Sequence, residues 1–359
     1  MKILLLAEAK SPHTIKWVNA LSSNCEAISL LSFRNADPTL FPKNVRINSL
    51  QHEYTKHQAE PSKLSYLKLL KLLKKEIKDF RPDILHAYYA SSYGLIGALS
   101  GFKPYVISVW GSDVFEFPNK SLFHKTILKY NLKCANQIQS TSEIMAIETK
   151  KYTHTEIVTI PFGIDIQIFT PKKNESKAIV IGTIKWLEPI YGIHFLIEAF
   201  DLVCLQKPET DLRLLIVGEG SQRQNLEALV KEKGLSDRVE FVGGVQASET
   251  PKYHQRISIF AALSLQESFG VAVLEAAACG VPAVVTNVGG LPEVVEDNKT
   301  GLVVDSANPR QAANAFLKLI EDEELRAAMG RNARKRVEDN YNWSQNILQQ
   351  LEVYQKLKL

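Results

Sequence analysis

Two glutamates, Glu267 and Glu275, stand eight positions apart in the segment 267-ESFGVAVLEAAACGVPAVVTN-287. The small and apolar residues around them are typical of a buried helix, and we predict a helix over 269–278 with Ser268 as its N-cap. The free N–H groups of a helix start favour a phosphate, and carboxylates accept hydrogen bonds from paired sugar hydroxyls. The spacing suits a nucleotide-sugar site, but taken alone it is more typical of an ordinary amphipathic helix whose two acids face water.

The elements that must position these acids alternate between strand and helix along the whole chain, which predicts α/β architecture with parallel sheets. The first half has strand-like runs at 2–7, 26–32, 83–89, 105–110 and 157–161. The pattern is interrupted by the polar stretch 170–177 and then restarts, with runs at 178–184, 212–218, 238–244, 257–263, 281–287 and 301–305. We expect a first domain over 1–169, a linker over 170–177 and a second domain over 178–342. In such sheets ligands bind at the carboxyl ends of the strands.

Composition is that of a globular protein with two ordinary cores: 359 residues, 45% hydrophobic and 23% charged. The four cysteines are scattered, which favours a reducing, cytoplasmic compartment. No apolar run reaches the length of a membrane span, and the opening MKILLLAEAK reads as a strand rather than a signal peptide. Residues 1–170 carry a net charge of +7 (21 basic, 14 acidic), whereas the remainder carries −3 (22 and 25). No recognition motif accompanies the basic charge, which argues against nucleic acid as a partner.

Several motifs together resemble the family-four retaining glycosyltransferases, which have the GT-B fold of two Rossmann-like domains facing across a cleft. The C-terminal half resembles their donor domain at 182-GTI-184, 191-YGIHFLIEAF-200, 215-LIVGEG-220, 241-FVGGV-245, 267-ESFGVAVLEAAACGVPAVVT-286, 289-GGLPEVV-295 and 300-TGLVV-304. The N-terminal half resembles bacterial members that build surface polysaccharides, at 11-SPHTIKWVNAL-21, 82-PDILHAYYASSYG-94 and 106-VISVWGSDV-114.

The resemblance implies transfer of a hexose-type sugar from a UDP- or GDP-sugar to a glycan or lipid-linked acceptor, with retention at the anomeric carbon. It implies no metal and no other cofactor, and the chain has no D-x-D motif. It assigns Glu267 to the hydroxyls of the transferred sugar and Glu275 to the ribose. It also implies that the final helix, 343–359, packs back on the first domain. The donor-binding set is then Ser268, Phe269, Gly270, Val271 and Glu275, with Gly243 and Val245 lining the base pocket. Base, sugar, acceptor and oligomeric state stay open.

Two cations of the family pattern are missing from the loop after the strand at 178–184. Thr183 stands where the family has an Arg, and Ile190 and Tyr191 stand where it has a Lys. Because negative charge grows on the departing diphosphate, we predict that Lys185 supplies the positive charge. For Lys185, the alternative is an exposed lysine without a role. For the whole chain, the alternatives are a degenerate glycosyltransferase fold that binds a nucleotide sugar or a partner enzyme without catalysis, and a GT-B sugar-nucleotide epimerase. A dehydrogenase is excluded, since Arg223 occupies the third glycine position of G-x-G-x-x-G.

The first domain offers two further candidates. His13 follows the first strand and could reach the donor phosphate or the acceptor, although a lone loop histidine is as often a bystander. Asp113 in 110-WGSD-113 could orient substrate hydroxyls. Many family members have a histidine at the position of Trp110, and His86 is more typical of a satisfied core residue.

The segment 63–80 predicts a basic amphipathic helix. Such a helix binds anionic membrane surfaces, and further lysines near 120–133 extend the charge. We therefore expect peripheral contact with the inner face of the membrane. A packing helix with a solvated lysine face is the alternative.

Overall fold

The computed structural model describes residues 1–50, 63–172 and 178–358, and the chain divides into two compact units. Unit 1 comprises Met1–Pro161 and Asn346–Leu359, and unit 2 comprises Phe162–Gln345. The chain therefore enters unit 2 after Pro161, before the boundary predicted at residue 169. The predicted linker, 170–177, lies for the most part outside the described residues.

In the described residues of unit 1, seven parallel strands form one sheet in the order β3-β2-β1-β4-β5-β6-β7. The strands are β1 Lys2–Leu6, β2 Ala27–Ser32, β3 Val45–Ser49, β4 Ile84–Tyr88, β5 Tyr105–Val109, β6 Gln137–Ser140 and β7 Ile157–Thr159. The helices of the unit are α1 Pro12–Ser22, α2 Lys63–Phe80, α3 Ser92–Ser100, α4 Ser112–Phe115, α5 Leu122–Cys134 and α6 Glu143–Lys150. Strands β4 and β5 are buried over their whole length, as expected for parallel strands covered on both faces.

Six parallel strands form the sheet in the part of unit 2 that the structure describes, in the order β10-β9-β8-β11-β12-β13. They are β8 Ile179–Ile184, β9 Leu212–Val217, β10 Val239–Gly243, β11 Ile259–Ala262, β12 Ala283–Thr286 and β13 Gly301–Val304. The helices are α7 Ile193–Gln206, α8 Arg223–Glu232, α9 Thr250–His254, α10 Val271–Ala278, α11 Leu291–Val294, α12 Pro309–Glu321 and α13 Glu323–Asn340. This is the Rossmann strand order, whose direction reverses between β8 and β11.

The last helix, α14 Trp343–Lys358, belongs to unit 1 from Asn346 onward. Its Tyr354 is fully buried, and the hydroxyl lies 2.5 Å from Nδ1 of His86 on β4. Nε2 of His86 lies 2.7 Å from Oγ of Ser108 on the neighbouring strand β5. His86 is therefore a satisfied core histidine that fixes the last helix to the sheet.

None of the described helices combines the length and the apolar character that crossing a bilayer requires.

Candidate functional site

The reversal of strand order in unit 2 brings two loops together, one after β8 and one after β11. Ligands of open α/β sheets bind where such loops diverge at the carboxyl ends of the strands. Lys185 is the first residue after β8, and Glu267 lies in the loop after β11. The two loops are joined by a backbone hydrogen bond of 2.7 Å from the N–H of Leu265 to the carbonyl of Ile190. The topology thus places two of the predicted site residues at the same point of the sheet.

The backbone of Lys185 is held by the end of the neighbouring strand β9. Its N–H donates to the carbonyl of Val217 at 3.0 Å. Gly218 has a φ of +143°, and a Cβ at that position would overlap the carbonyl oxygen of Lys185. Gly218 therefore allows the two backbones to lie close together, a position that a residue with a Cβ could not fill.

The side chains of Lys185 and Glu267 form an ion pair between Nζ and Oε2. Only 13% of the Lys185 side chain and 12% of the Glu267 side chain are exposed, so the pair is largely shielded from water. The ring of Tyr191 lies below the ammonium, with 4.7 Å from Nζ to the ring centroid. A cation held between a carboxylate and an aromatic face is well ordered. Lys185 thus lies between Glu267 and Tyr191, and its predicted role in place of the two missing cations stays a prediction.

Glu267 is held from the other side by the pair of glycines at 289–290. The N–H of Gly290 donates to the carbonyl of Glu267 at 3.1 Å. Gly289 has a φ of +51°, and a Cβ there would overlap the same carbonyl oxygen. The G-G-x-P-E segment therefore carries its glycines because the Glu267 backbone lies directly on them.

Helix α10 begins at Val271, with Gly270 as its N-cap at φ +106°, so the prediction of a helix from residue 269 capped by Ser268 is wrong. The physical reason is the positive φ of Gly270, which no residue inside a right-handed helix adopts. Phe269 instead turns inward and is 97% buried, because its ring packs against Phe162 at a centroid distance of 6.1 Å. The N–H groups of Val273 and Leu274 donate to the carbonyl of Gly270 at 3.0 and 3.2 Å, which leaves those of Val271 and Ala272 without an intrahelical acceptor.

Glu275 lies one turn into α10 and contacts a residue that the sequence did not single out. Nε2 of His254, on α9, lies 3.2 Å from Oε2 of Glu275. The imidazole is fully buried beside the rings of Phe260 and Phe169, and its Nδ1 has no hydrogen-bond partner among the described residues. A ring that carries its proton on Nε2 fits this environment and donates to Glu275. His254 therefore orients the carboxylate predicted to bind ribose.

The 243–245 loop lies at the carboxyl end of β10, next to the glycine turn after β9. The carbonyl of Gly243 accepts from the N–H of Gly218 at 2.9 Å, and Val245 is half-buried. Its predicted contact with a base stays a prediction.

Two hydroxyls at the same edge of the unit 2 sheet are buried without a hydrogen-bond partner in the described part of the chain. They are Oγ1 of Thr183, next to the end of β8, and Oγ of Ser264, two residues after β11. Buried polar groups are normally paired, so these two hydroxyls are exceptional polar atoms of the interior beside the Lys185 and Glu267 loops.

In unit 1, Asp113 is almost completely buried and its carboxylate is engaged by the backbone. It accepts from the N–H groups of Ala90 at 2.7 Å, Gly111 at 2.8 Å and Trp110 at 3.1 Å. Burial raises the pKa of Asp113, against the opposing effect of these hydrogen bonds. The geometry gives Asp113 the task of joining the loops after β4 and β5, and a substrate contact stays an untested prediction.

His13 is the second residue of α1, at the carboxyl end of β1. Its ring meets Trp110 edge-on at a centroid distance of 6.2 Å, and Trp110 stacks on Tyr88 at 4.5 Å. His13 thus belongs to an aromatic cluster at the edge of the unit 1 sheet. Its predicted contact with phosphate or acceptor also stays a prediction. Within the described residues, no group of three or more His, Cys, Asp or Glu side chains is arranged to hold a metal ion.

Residues 165–336 match the family "Glycosyl transferases group 1", and residues 2–142 match "Glycosyl transferase 4-like". An uncharacterised glycosyltransferase of Methanocaldococcus jannaschii is 27% identical over 88% of this chain and 86% of its own length. A D-inositol 3-phosphate glycosyltransferase of Pseudarthrobacter chlorophenolicus is 33% identical over 61% of this chain and 54% of its own length.

Among solved structures, sucrose-phosphate synthase from Thermosynechococcus elongatus has a TM-score of 0.83 at 22% identity, covering 99% of both chains. Anabaena HepE, solved in complex with UDP, also has a TM-score of 0.83, at 20% identity, covering 99% of this chain and 100% of its own. At this level of identity the likeness shows the fold.

Proposed function

Because this chain belongs to the group 1 glycosyl transferases and has the GT-B fold, we propose that it is a retaining transferase of surface polysaccharide synthesis. It moves a hexose-type unit from a UDP- or GDP-sugar to a glycan or lipid-linked acceptor. The observation that carries the proposal is the meeting of Lys185 and Glu267 at the reversal of strand order in unit 2. That the Anabaena HepE structures contain UDP and UDP-glucose makes a UDP-sugar the first donor to test.

The donor lies along α10 in this proposal. The amides at Val271 and the adjoining residues bind the diphosphate, with the helix dipole in favour of negative charge. Glu275 is four residues further on, about 6 Å along the helix axis at about 1.5 Å per residue. That distance allows its carboxylate to hold the ribose hydroxyls, while the 243–245 loop lines the base. Glu267, in the loop before the helix, accepts from hydroxyls of the transferred sugar.

The chemical step breaks the bond between the anomeric carbon and the diphosphate oxygen and forms a bond to an acceptor hydroxyl on the same face. The proton of that hydroxyl passes to the departing diphosphate, so that no protein base is required. Lys185 and the helix amides offset the negative charge that grows on the leaving group. Since they supply this positive charge, we propose that transfer is independent of metal.

The membrane contact proposed for α2 is supported by an apolar and basic surface formed with the start of α5. Leu64 and Leu67 are 59% and 65% exposed, and Leu122 and Phe123 are 83% and 71% exposed. The two helix starts are neighbours, because Tyr66, Lys120 and His124 line one cavity of about 240 Å³. Exposed lysines lie along α2, just before α5 and along α5: Lys68, Lys71, Lys74, Lys75, Lys78, Lys120, Lys125, Lys129 and Lys133. The apolar side chains can insert into a bilayer while the lysines contact anionic headgroups, as expected at the inner face of the membrane.

Sedimentation with anionic vesicles tests this contact. The double variant Leu122→Ser/Phe123→Ser should lose most vesicle binding at low salt. The matched control, Leu205→Ser, removes a leucine of unit 2 that is 71% exposed and should bind as the wild type does. Equal binding by the double variant and the wild type would contradict the proposal.

A catalytically degenerate GT-B protein that binds a nucleotide sugar or a partner enzyme without transfer is the second candidate. It is favoured by one observation, the buried Thr183 in place of an arginine. Metal-free calorimetric titration with a panel of UDP- and GDP-sugars tests whether the protein binds a sugar donor. We expect one donor to bind the wild type tightly and Glu275→Ala far more weakly. Absence of binding by every donor at millimolar concentration would contradict the transferase and favour the degenerate, partner-binding candidate.

A further inference from the structure

Lys185 and Glu267 are paired with each other, yet the proposed function requires both to contact the donor. The ammonium must meet the diphosphate, and the carboxylate must accept from sugar hydroxyls. In the structure the ammonium and the carboxylate instead pair with each other, with only 13% of the Lys185 side chain and 12% of the Glu267 side chain exposed. The diphosphate must therefore compete with Glu267 for the charge of the ammonium, and the sugar hydroxyls must compete with Lys185 for the carboxylate.

We propose that this ion pair is a switch operated by the donor, an inference that rests on the proposed function. The diphosphate displaces Glu267 from Lys185, and the released carboxylate turns to the hydroxyls of the transferred sugar. A diphosphate carries more negative charge than one carboxylate, so it competes successfully for the ammonium. The ring of Tyr191, 4.7 Å from Nζ, keeps Lys185 in place while its anionic partner changes.

The exchange favours the complete donor over the nucleoside diphosphate product. A shielded carboxylate without a hydrogen-bond partner is costly, and only the sugar hydroxyls of the donor replace what Glu267 loses. The product lacks those hydroxyls. After transfer, Glu267 therefore returns to Lys185 and weakens the hold on the diphosphate. The pair thus promotes product release, a step that limits turnover in many enzymes.

Calorimetric titration of the wild type and Glu267→Gln with UDP or GDP alone, and with the matching sugar donor, tests the switch. The amide preserves shape and removes the competing charge. We expect the nucleoside diphosphate to bind Glu267→Gln about tenfold more tightly, equivalent to about 1.4 kcal/mol. The ratio of donor affinity to product affinity should fall by at least the same factor. The control Glu240→Gln removes a carboxylate of unit 2 that pairs with Arg256, and it should change neither affinity.

The double variant Lys185→Met/Glu267→Gln separates competition for Lys185 from a general loss of negative charge. In the Lys185→Met background, Glu267→Gln should no longer tighten binding of the nucleoside diphosphate. Tightening that persists there, or its absence in Glu267→Gln alone, would overturn the switch. A wild type that binds no nucleotide at all would instead overturn the proposed function, so the two failures are distinguishable. Thermal unfolding of each variant confirms that it is folded.

Discussion

The hydrogen bond from His254 to Glu275 leads to a specific prediction about donor affinity. His254→Phe keeps an aromatic ring between Phe169 and Phe260 and removes the Nε2 donor. The contact is 3.2 Å long, and 21% of the Glu275 side chain is exposed, so water partly replaces the lost donor. A hydrogen bond to a charged group contributes about 1.5–3 kcal/mol, and we take the lower end for this exposure. The expected loss of donor affinity is therefore about tenfold.

A double-mutant cycle read by calorimetry measures this effect. His254→Phe should weaken donor binding in the wild-type background and have little effect in Glu275→Ala, because the partner is already absent. His254→Gln restores a donor and should recover part of the affinity. The control His194→Phe changes a half-buried histidine of α7 and should leave affinity unchanged. Equal losses in both backgrounds would refute the positioning role and leave only a packing role.

Three further outcomes follow from the packing. Burial lowers the pKa of His86 to about 3 from 6.5. The stability that depends on neutral His86 is therefore complete above pH 6.5 and falls by about 1.4 kcal/mol per pH unit below it. In denaturant unfolding, the stability of His86→Asn should fall less steeply with acid than that of the wild type, while the control His154→Asn, at an exposed position, should match the wild type. Gly289→Ala should lower the free energy of unfolding by about 2–4 kcal/mol, because the added Cβ overlaps the Glu267 backbone. The control Gly234→Ala should cost only about 1 kcal/mol, since its φ is similar but its Cβ meets open space. Asp113→Ala should cost about 3 kcal/mol or more in chemical denaturation, since three backbone N–H groups lose their acceptor, and a cost below about 1 kcal/mol would contradict its role in joining the loops.

Much of the fold could be predicted because parallel strands buried on both faces are continuous apolar runs. Strands such as β4 and β9 were predicted on this basis. Strands β3 and β6 were not, since 45-VRINS-49 and 137-QIQS-140 contain polar residues that only tertiary contacts explain. In β6, for example, Gln139 accepts from the buried hydroxyl of Ser108 at 3.0 Å.

The sequence predicted several residues of the candidate site, but it did not predict the contacts between them. The spacing of the two glutamates located α10, whereas the positive φ of Gly270 moved the helix start to Val271. His254 had no sequence signal, because its role depends on a contact with a residue 21 positions away. The pairing of Lys185 with Glu267 crosses 82 positions and required the strand order of unit 2.

The most direct test of sugar transfer is release of nucleoside diphosphate from the donor that calorimetry identifies. The reaction contains EDTA and lipid extracts from polysaccharide-producing bacteria, and labelled sugar in the extracted product is counted in parallel. We predict release in step with incorporation, reduced about a hundredfold or more in Lys185→Ala because the leaving group loses its cation. A donor that binds but is neither cleaved nor incorporated with any extract, or equal rates for Lys185→Ala and the wild type, would contradict the account.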